Sequence, residues 1–340
     1  MKLLEIDNLK ELLSIPKNIS IITHTNPDGD AIGSSLALYS YLKAKGNKVD
    51  VIVPNDFPDF LAWMPNADNI LINSRRNKEC KEVISNADII FCLDFNALNR
   101  IDKVEEYIRQ STAKKVLIDH HLQPETESFD YCISIIKVSS TSELIYEFIT
   151  ELGDENYINK EISECIFVGI MTDTGSFSFS CNYVRTFEIT SKLIGVGLDA
   201  EHVHRLVYDT YSENRMRLLG HSLSERLVVL PELSMAYIYL TKEDLKKFNY
   251  QVGDTEGVVN YALSIKGIQL AALFTERENK IRISFRSKGN FNVNIFARTH
   301  YEGGGHKNAA GANSYISLEE TLKRFESILI NDYKSELNLS

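Results

Sequence analysis

The segment that decides the fold is Ile19-Ser-Ile-Ile-Thr-His-Thr-Asn-Pro-Asp-Gly-Asp-Ala-Ile-Gly-Ser34, near the start of the 340-residue chain. Its first residues are mostly β-branched and predict a strand over 19–23. Its last residues begin an amphipathic helix, predicted over 31–45, which ends before Gly46, a residue type favoured just after helix C-termini. A strand that passes through a short polar turn into a helix begins a β–α–β unit, so we expect a mostly parallel sheet here.

Three further strands of the same character follow in the first half of the chain, predicted over 48–53, 87–94 and 114–119. Helical segments separate the strands, and two later helices are predicted over 161–172 and 186–194. Alternating strands and helices predict an α/β fold, with a mostly parallel sheet and helices on both of its faces.

Polar side chains follow the predicted strands at the point where each strand ends. His24 follows the first strand, Asp94 ends the third, and Asp119-His-His121 ends the fourth. Ligands of doubly wound sheets bind beyond the carboxyl ends of the strands. Taken singly, each of these residues is more often a turn, a cap or a solvated side chain. Together they predict a functional site at one edge of the sheet.

The residue types at this edge are those that bind hard divalent cations. Asp28 and Asp30 follow His24, and Gly29 between them lets the backbone fold so that both carboxylates converge. Asp173 follows a predicted helix and adds another carboxylate. Carboxylates and imidazoles suit Mn²⁺, with Mg²⁺ as an alternative. One ion would not use so many donors, whereas two ions about 3.5–4 Å apart would, with one carboxylate bridging them.

The second half of the chain predicts a smaller α/β domain. Strands are predicted over 235–240, 270–275 and 281–285, the last two as a hairpin, and helices over 292–298 and 318–329. A polar helical stretch precedes them. We therefore predict three parts along the chain: a catalytic metal-binding domain over 1–200, a helical linker over 201–222 and a substrate-binding domain over 223–340.

Two features of the second half suit phosphate binding. Gly303-Gly-Gly-His306 has three residues without side chains, among them Gly304 and Gly305, so that backbone amides can approach an anion while His306 adds a hydrogen bond or charge. Arg286 follows an alternating strand and presents a planar guanidinium group. A flexible loop and a surface arginine are the alternatives for these two features. Arg298 and Arg100 are weaker candidates.

Composition limits the partners. The net charge of −10 argues against a protein that follows long nucleic acid, which usually presents a basic surface. The longest apolar runs are too short to cross a membrane, and the first residues lack the pattern of a signal peptide. Five scattered cysteines, an odd number, suggest a reducing compartment. We therefore expect a cytoplasmic protein that binds neither membranes nor long duplex DNA, and we leave a homodimer open.

The polar motifs, in their order along the chain, resemble those of the DHH phosphoesterase family and its associated C-terminal domain. The matching segments are His24-Thr-Asn-Pro-Asp-Gly-Asp-Ala-Ile-Gly-Ser34, Asp94, Asp119-His-His121, Gly169-Ile-Met-Thr-Asp-Thr-Gly175, Gly303-Gly-Gly-His306 and Ala309-Ala-Gly311. Length and layout are most similar to the branch that hydrolyses very short oligoribonucleotides and also dephosphorylates 3',5'-bisphosphorylated adenosine (pAp). The resemblance therefore implies a hydrolase that acts on phosphate esters and uses two Mn²⁺.

The resemblance also implies roles for individual residues. Two ions share Asp94 as a bridge, and their ligands are His24, Asp28 and Asp94 for one, and Asp30, Asp94, His120 and Asp173 for the other. His121 then contacts the substrate phosphate or donates a proton to the leaving oxygen, and Asp119 orients the histidines.

Other functions share this ligand pattern. A phosphodiesterase of linear or cyclic dinucleotides of the pApA type, an exopolyphosphatase or inorganic pyrophosphatase, and a single-strand exonuclease all remain open. A nucleotide-sensing module without catalytic activity is the alternative outside the enzymes.

Overall fold

The computed structural model describes residue 3 and residues 5–333. The chain divides after Thr210 into two compact units. This division falls inside the stretch 201–222, in which the structure has two helices separated by residues 209–212. The linker role of that stretch stays a prediction, and the outer domain limits at residues 1 and 340 lie outside the described residues.

The first unit is built on a six-stranded sheet in the order β3-β2-β1-β4-β5-β6, and every pairing in it is parallel. The strands are β1 (Asn18–Thr23), β2 (Lys48–Val53), β3 (Leu71–Ile72), β4 (Ile89–Leu93), β5 (Lys114–Asp119) and β6 (Tyr131–Ser134). Its helices are α1 (Ile6–Leu12), α2 (Gly29–Ala44), α3 (Asn73–Ser85), α4 (Val104–Gln110), α5 (Thr141–Glu151), α6 (Lys160–Asp173), α7 (Val184–Val196) and α8 (Ala200–Tyr208). Short 3₁₀ turns cover Asp59–Leu61, Ala67–Asn69, Leu98–Ile101, Thr126–Ser128 and Glu155–Tyr157.

Helices cover both faces of this sheet because its central strands are apolar on both sides. Along β4, Phe91 and Leu93 pack on the side of α2, α5 and α6, whereas Ile90 and Cys92 pack on the side of α3 and α4. Alternate strand residues point to opposite faces, so a strand buried on both sides reads as a continuous apolar run. The predicted parallel α/β sheet is confirmed.

The strand order reverses between β1 and β4, which are neighbours in the sheet although two strands separate them in sequence. The loops that leave these two strands diverge to opposite sides, and this leaves a crevice at their carboxyl ends. The crevice lies where His24 and Asp94 follow their strands.

The second unit has a mixed six-stranded sheet in the order β11-β12-β10-β9-β8-β7. The strands are β7 (Leu227–Leu230), β8 (Met235–Leu240), β9 (Leu270–Glu276), β10 (Ile281–Ser287), β11 (Glu302–His306) and β12 (Ala309–Ser314). The helices are α9 (Glu213–Glu225), α10 (Lys242–Lys247), α11 (Val258–Ser264), α12 (Val293–His300) and α13 (Leu318–Ile328), with a 3₁₀ turn at Pro231–Leu233 and a π-helical turn at Leu329–Tyr333. The predicted smaller α/β unit and its β9–β10 hairpin are confirmed.

Two further observations bear on the expectations from composition. All five cysteines are free thiols. Within residue 3 and residues 5–333, the structure has no helix that is both long enough and apolar enough to cross a bilayer.

Candidate active site

Asp94 lies at the centre of the candidate site, directly after β4. Its backbone takes the left-handed conformation with φ of 64°, which aspartate tolerates better than most residues, and its amide donates to the carbonyl of Ile118 in β5. Only 2% of its surface is exposed. Its Oδ2 lies 3.4 Å from Nε2 of His24, and its Oδ1 lies 3.4 Å from Nε2 of His120. The two oxygens of one carboxylate therefore face two different imidazoles.

The first group of candidate ligands consists of His24, Asp28 and Asp94, whose donor atoms lie within 4.8 Å of one another. Nδ1 of His24 lies 3.0 Å from the carbonyl of Thr25, and a hydrogen bond there leaves Nε2 as the ligand atom. Asp28 is the N-cap of α2, and its Oδ1 accepts hydrogen bonds from the amides of Asp30 and Ala31. The helix cap thus orients the carboxylate that faces His24 at 3.9 Å.

The second group consists of Asp30, Asp94 and His120, again within 4.8 Å of one another. Nε2 of His120 lies 3.8 Å from Oδ2 of Asp30 and 3.4 Å from Oδ2 of Asp173. Asp173 is the last residue of α6, so a helix end rather than a strand end delivers this carboxylate. The structure therefore brings all six predicted metal ligands together around Asp94.

Burial and mutual repulsion shift the pKa values of these groups strongly. Burial raises the pKa of Asp30 well above its ordinary range, and the charges of Asp94 and Asp173 raise it further. Burial also raises the pKa of Asp173 to about 6. Burial opposes the charged form of His120, but the charges of Asp173 and Asp94 outweigh it and raise the histidine's pKa to about 10.

Asp94 itself behaves in the opposite way, since its hydrogen bonds with His120 and His24 outweigh burial and hold its pKa well below the ordinary range. Four carboxylates packed this closely need positive charge nearby. Protonated histidines would supply part of it, whereas two divalent cations would supply it with neutral imidazoles as ligands. The donor set therefore fits a pair of divalent cations.

His121 is oriented by Asp119, which is fully buried. Nδ1 of His121 lies 2.7 Å from Oδ1 of Asp119, and the backbone amide of His121 donates to Oδ2 of the same carboxylate at 3.0 Å. With Nδ1 held by a carboxylate, Nε2 is the nitrogen through which His121 can exchange a proton.

The N-terminus of α5 contributes residues to the site that could not be predicted from polar side chains at strand ends. The amides of Thr141 and Ser142 donate to Oδ2 and Oδ1 of Asp30, and the hydroxyl of Thr141 donates to Oδ1 of Asp94. A signal for this arrangement exists in Ser140-Thr-Ser-Glu143, which has the spacing of a capping box. The side chain of Ser140 accepts from the amide of Glu143 at 3.1 Å, as that pattern predicts.

In the second unit, Arg286 and His306 lie in one row of the sheet. Arg286 of β10 and His306 of β11 both pair with Ala309 of β12, so both side chains belong to the same face. The neighbouring residue Phe285 points to the other face and is fully buried in the core.

The glycine run lies in an edge strand rather than in a loop. At Gly305, where φ is +149°, an added Cβ would lie 2.5 Å from the carbonyl oxygen of Ala309, so a larger residue cannot sit there without a shift of β12. The amide of Gly305 donates to Oδ1 of Asn294, which also accepts from Nε of Arg298. Asn294 is a buried residue that the sequence patterns did not single out. The weaker candidate Arg100 belongs to the first unit, where its charge opposes protonation of His24.

The model of the DHH family, N-terminal domain, matches residues 18–170, and that of the DHHA1 domain matches residues 232–331. These features together define a hydrolase that acts on phosphate esters. The chain belongs to the DHH family and carries its DHHA1 domain. The predictions of the family and of an enzyme are confirmed, and the alternative of a non-catalytic sensor loses its support.

Known proteins match this chain over most of its length. An exopolyphosphatase-related protein from Bacteroides fragilis, a solved structure, is 44% identical with a TM-score of 0.92, and the match covers 98% of this chain and 97% of that one. The bifunctional oligoribonuclease and PAP phosphatase NrnA of Bacillus subtilis is 29% identical over 89% of this chain and 91% of its own length. The protein of the same name from Thermus thermophilus is 28% identical over 92% of this chain and 89% of its own length.

Proposed function

We propose that this chain hydrolyses short oligoribonucleotides and pAp with a pair of divalent cations, Mn²⁺ in the first place and Mg²⁺ as a substitute. The observation that carries the proposal is the placement of Asp94, whose two oxygens face His24 and His120 separately at 3.4 Å. The names of the Bacillus and Thermus relatives support the choice of substrate.

Asp94 would be shared by both ions. The ligand set of each would be His24, Asp28 and Asp94 for one, and Asp30, Asp94, His120 and Asp173 for the other. Such a pair supplies positive charge that neutralises the phosphate oxygens and makes water a sufficient nucleophile near neutral pH.

The protein's own groups perform the remaining steps. Water forms a new oxygen–phosphorus bond and gives up one proton to the solvent, while the bond from phosphorus to the leaving ester oxygen breaks and that oxygen takes up a proton. His121 would donate it from Nε2, since Asp119 holds Nδ1 at 2.7 Å and fixes the ring. Asp119 thereby acts by orientation and by stabilising the charged ring, and its complete burial strengthens both effects.

Substrate phosphate would be bound in the second unit by Arg286 and His306, which share one face of the sheet. Arg286 offers two donors in one plane to a phosphate. Gly304 and Gly305 keep the adjacent edge strand free of side chains, so that a phosphate could approach its backbone, where the amide of Gly305 already donates to Asn294.

A second candidate is hydrolysis of inorganic polyphosphate, favoured by the name of the Bacteroides relative. In both reactions water attacks a phosphorus atom that carries charged oxygens, and both would use the same residues of the first unit. The pApA-type dinucleotides stay open as further substrates. The cytoplasmic location, the homodimer and the exclusion of long duplex DNA stay predictions.

A turnover assay with Mn²⁺ separates these substrates. It compares pAp, a dinucleotide, a five-nucleotide RNA, a long RNA, pApA, polyphosphate and pyrophosphate under one condition. Release of adenosine monophosphate from pAp and of mononucleotides from short RNA, with little action on long RNA, is the expected result. Turnover confined to polyphosphate or pyrophosphate would replace the proposed substrate, and no turnover on any of these compounds would overturn it.

A further inference from the structure

Thr141, the first residue of α5, is hydrogen-bonded to two candidate metal ligands at once. Its backbone amide donates to Oδ2 of Asp30 at 2.7 Å, and its hydroxyl donates to Oδ1 of Asp94 at 3.0 Å. The residue is fully buried. Thr141 therefore hydrogen-bonds, through its amide and its side chain, to one carboxylate from α2 and one from the end of β4.

The two oxygens that Thr141 holds are also those that face His120. Oδ2 of Asp30 lies 3.8 Å and Oδ1 of Asp94 lies 3.4 Å from Nε2 of that histidine. Each carboxylate oxygen has two lone pairs, so a hydrogen bond to one of them leaves the other for a cation and fixes its direction. Thr141 therefore sets the geometry of one of the two ligand groups.

We propose that Thr141 is a positioning residue for the ion held by Asp30, Asp94 and His120, an inference that rests on the proposed two-metal function. The other group, with His24 and Asp28, meets Asp94 through Oδ2, which Thr141 does not touch. Loss of the Thr141 hydroxyl should therefore weaken the binding of one ion and leave the binding of the other unchanged.

The start of α5 is rigid enough for this role. The Oε2 atom of Glu143 accepts from the amide and hydroxyl of Ser139 at 3.2 and 2.6 Å and from the hydroxyl of Thr186 at 2.7 Å. The side chain of Ser140 caps the helix through the amide of Glu143. These hydrogen bonds fix the first turn of α5, so that Thr141 has a defined position relative to the carboxylates of Asp30 and Asp94.

Close helix packing brings this turn against Asp30. A Cβ added to Gly169 of α6 would collide with the side chain of Ser142 and lie 2.6 Å from Oδ1 of Asp30. Only glycine at this position lets the N-terminus of α5 reach the buried carboxylate. The 11-residue α5 also directs its positive dipole end at Asp30, which favours the charged carboxylate that a cation needs.

Titration of the metal-free full chain with Mn²⁺, followed by calorimetry, tests the role of Thr141. Thr141→Val removes the hydroxyl with little change in shape, whereas Thr141→Ser keeps it. Thr321→Val is the matched control, since it removes a buried hydroxyl that is hydrogen-bonded to Ser314 in the second unit. Urea unfolding of each metal-free variant measures the structural cost separately.

The expected result is two Mn²⁺ bound by the wild type and by Thr141→Ser. In Thr141→Val one binding event should weaken by about 10- to 100-fold, the size typical for loss of a hydrogen bond to a metal ligand, while the other is unchanged. Thr321→Val should lose stability and keep both ions. If Thr141→Val binds both ions with unchanged affinity, or if its affinity for both ions falls equally, the role of Thr141 is overturned while the metal pair stands. A wild type that binds no Mn²⁺ would overturn the proposed function as well.

Discussion

The two units of this chain arrange polar side chains on their sheets in different ways. In the first unit they follow the ends of parallel strands, as His24 follows β1 and Asp94 follows β4. In the second they stand on the face of a mixed sheet, where Arg286 and His306 share a row through Ala309. The carboxyl ends of parallel strands meet at one edge of the sheet whatever their separation in sequence. Which side chains stand side by side on the face of a sheet depends instead on the register of its strands. The first arrangement can be predicted from strand order alone, and the second cannot.

The units also differ in how deeply these polar groups are buried. Asp30 and Asp94 are 1% and 2% exposed, whereas Arg286 and His306 are only partly covered within the described residues. Electrostatic interactions strengthen with burial, because water screens them less. Substitutions in the first unit should therefore have the larger effects on function.

The largest effect is expected from Asp94→Asn, which removes the shared carboxylate. Loss of one partner from a buried charged group costs about 3–5 kcal/mol, so that kcat/KM should fall by about 1,000-fold. The matched control is Asp88→Asn, since Asp88 stands at the other end of β4, exposed, and accepts from the amide of Asn18. Steady-state kinetics on pAp should show a loss in the first variant alone. Equal losses in both would mean that β4 is merely destabilised.

Arg286→Ala tests the face of the second unit. A hydrogen bond to a charged group contributes about 1.5–3 kcal/mol, so KM should rise by about 10- to 100-fold while Mn²⁺ binding stays unchanged. Arg282→Ala is the control, because Arg282 lies on the same strand and the same face, four residues away. If both variants raise KM alike, general positive charge rather than the row with His306 binds the phosphate.

Gly305→Ala should destabilise the second unit without reaching the first. The added methyl group meets Ala309 and Ala310, and the backbone is in a region that L residues rarely adopt, so the free energy of unfolding should fall by about 1–3 kcal/mol. The methyl group added by Gly220→Ala in α9 meets nothing within 4 Å, so this substitution should raise the free energy of unfolding by about 0.5–1 kcal/mol. Urea unfolding measures both. A neutral Gly305→Ala would contradict the close approach of β11 and β12.

The smallest effect concerns Asp244, a buried carboxylate of the second unit that protein groups alone neutralise. Burial opposes its charge, but hydrogen bonds from Arg226, the Thr241 amide and His221 outweigh burial and hold the pKa of Asp244 well below its ordinary value. Its stabilising effect is therefore present above the ordinary value of about 3.9 and is lost as pH falls below it.

Asp244→Asn should accordingly lower the free energy of unfolding by about 1 kcal/mol at neutral pH, and this difference from the wild type should shrink as pH falls from about 5 to 2. Urea unfolding at several pH values measures the difference, and Mn²⁺ binding should not change. A difference that grows in acid would mean that Asp244 is protonated in the folded protein.

Much of the first unit could be predicted from sequence because its apolar strands and polar strand ends lie next to each other in the chain. The predicted strands 48–53 and 114–119 agree with β2 and β5 residue for residue. The contribution of Thr141 could not be predicted in this way, since it comes from a helix start after the short strand β6. The glycine run also departs from expectation, because glycine weakens strands and is a poor signal for one. Here β12 leaves no room for a larger residue at Gly303 and Gly305.

Diffraction from crystals grown with Mn²⁺, measured at the manganese absorption edge, tests the central claim most directly. The account predicts two anomalous peaks about 3.5–4 Å apart, one beside each oxygen of Asp94, with His24 at one and His120 at the other. A single peak, or two peaks that do not share Asp94, would contradict it.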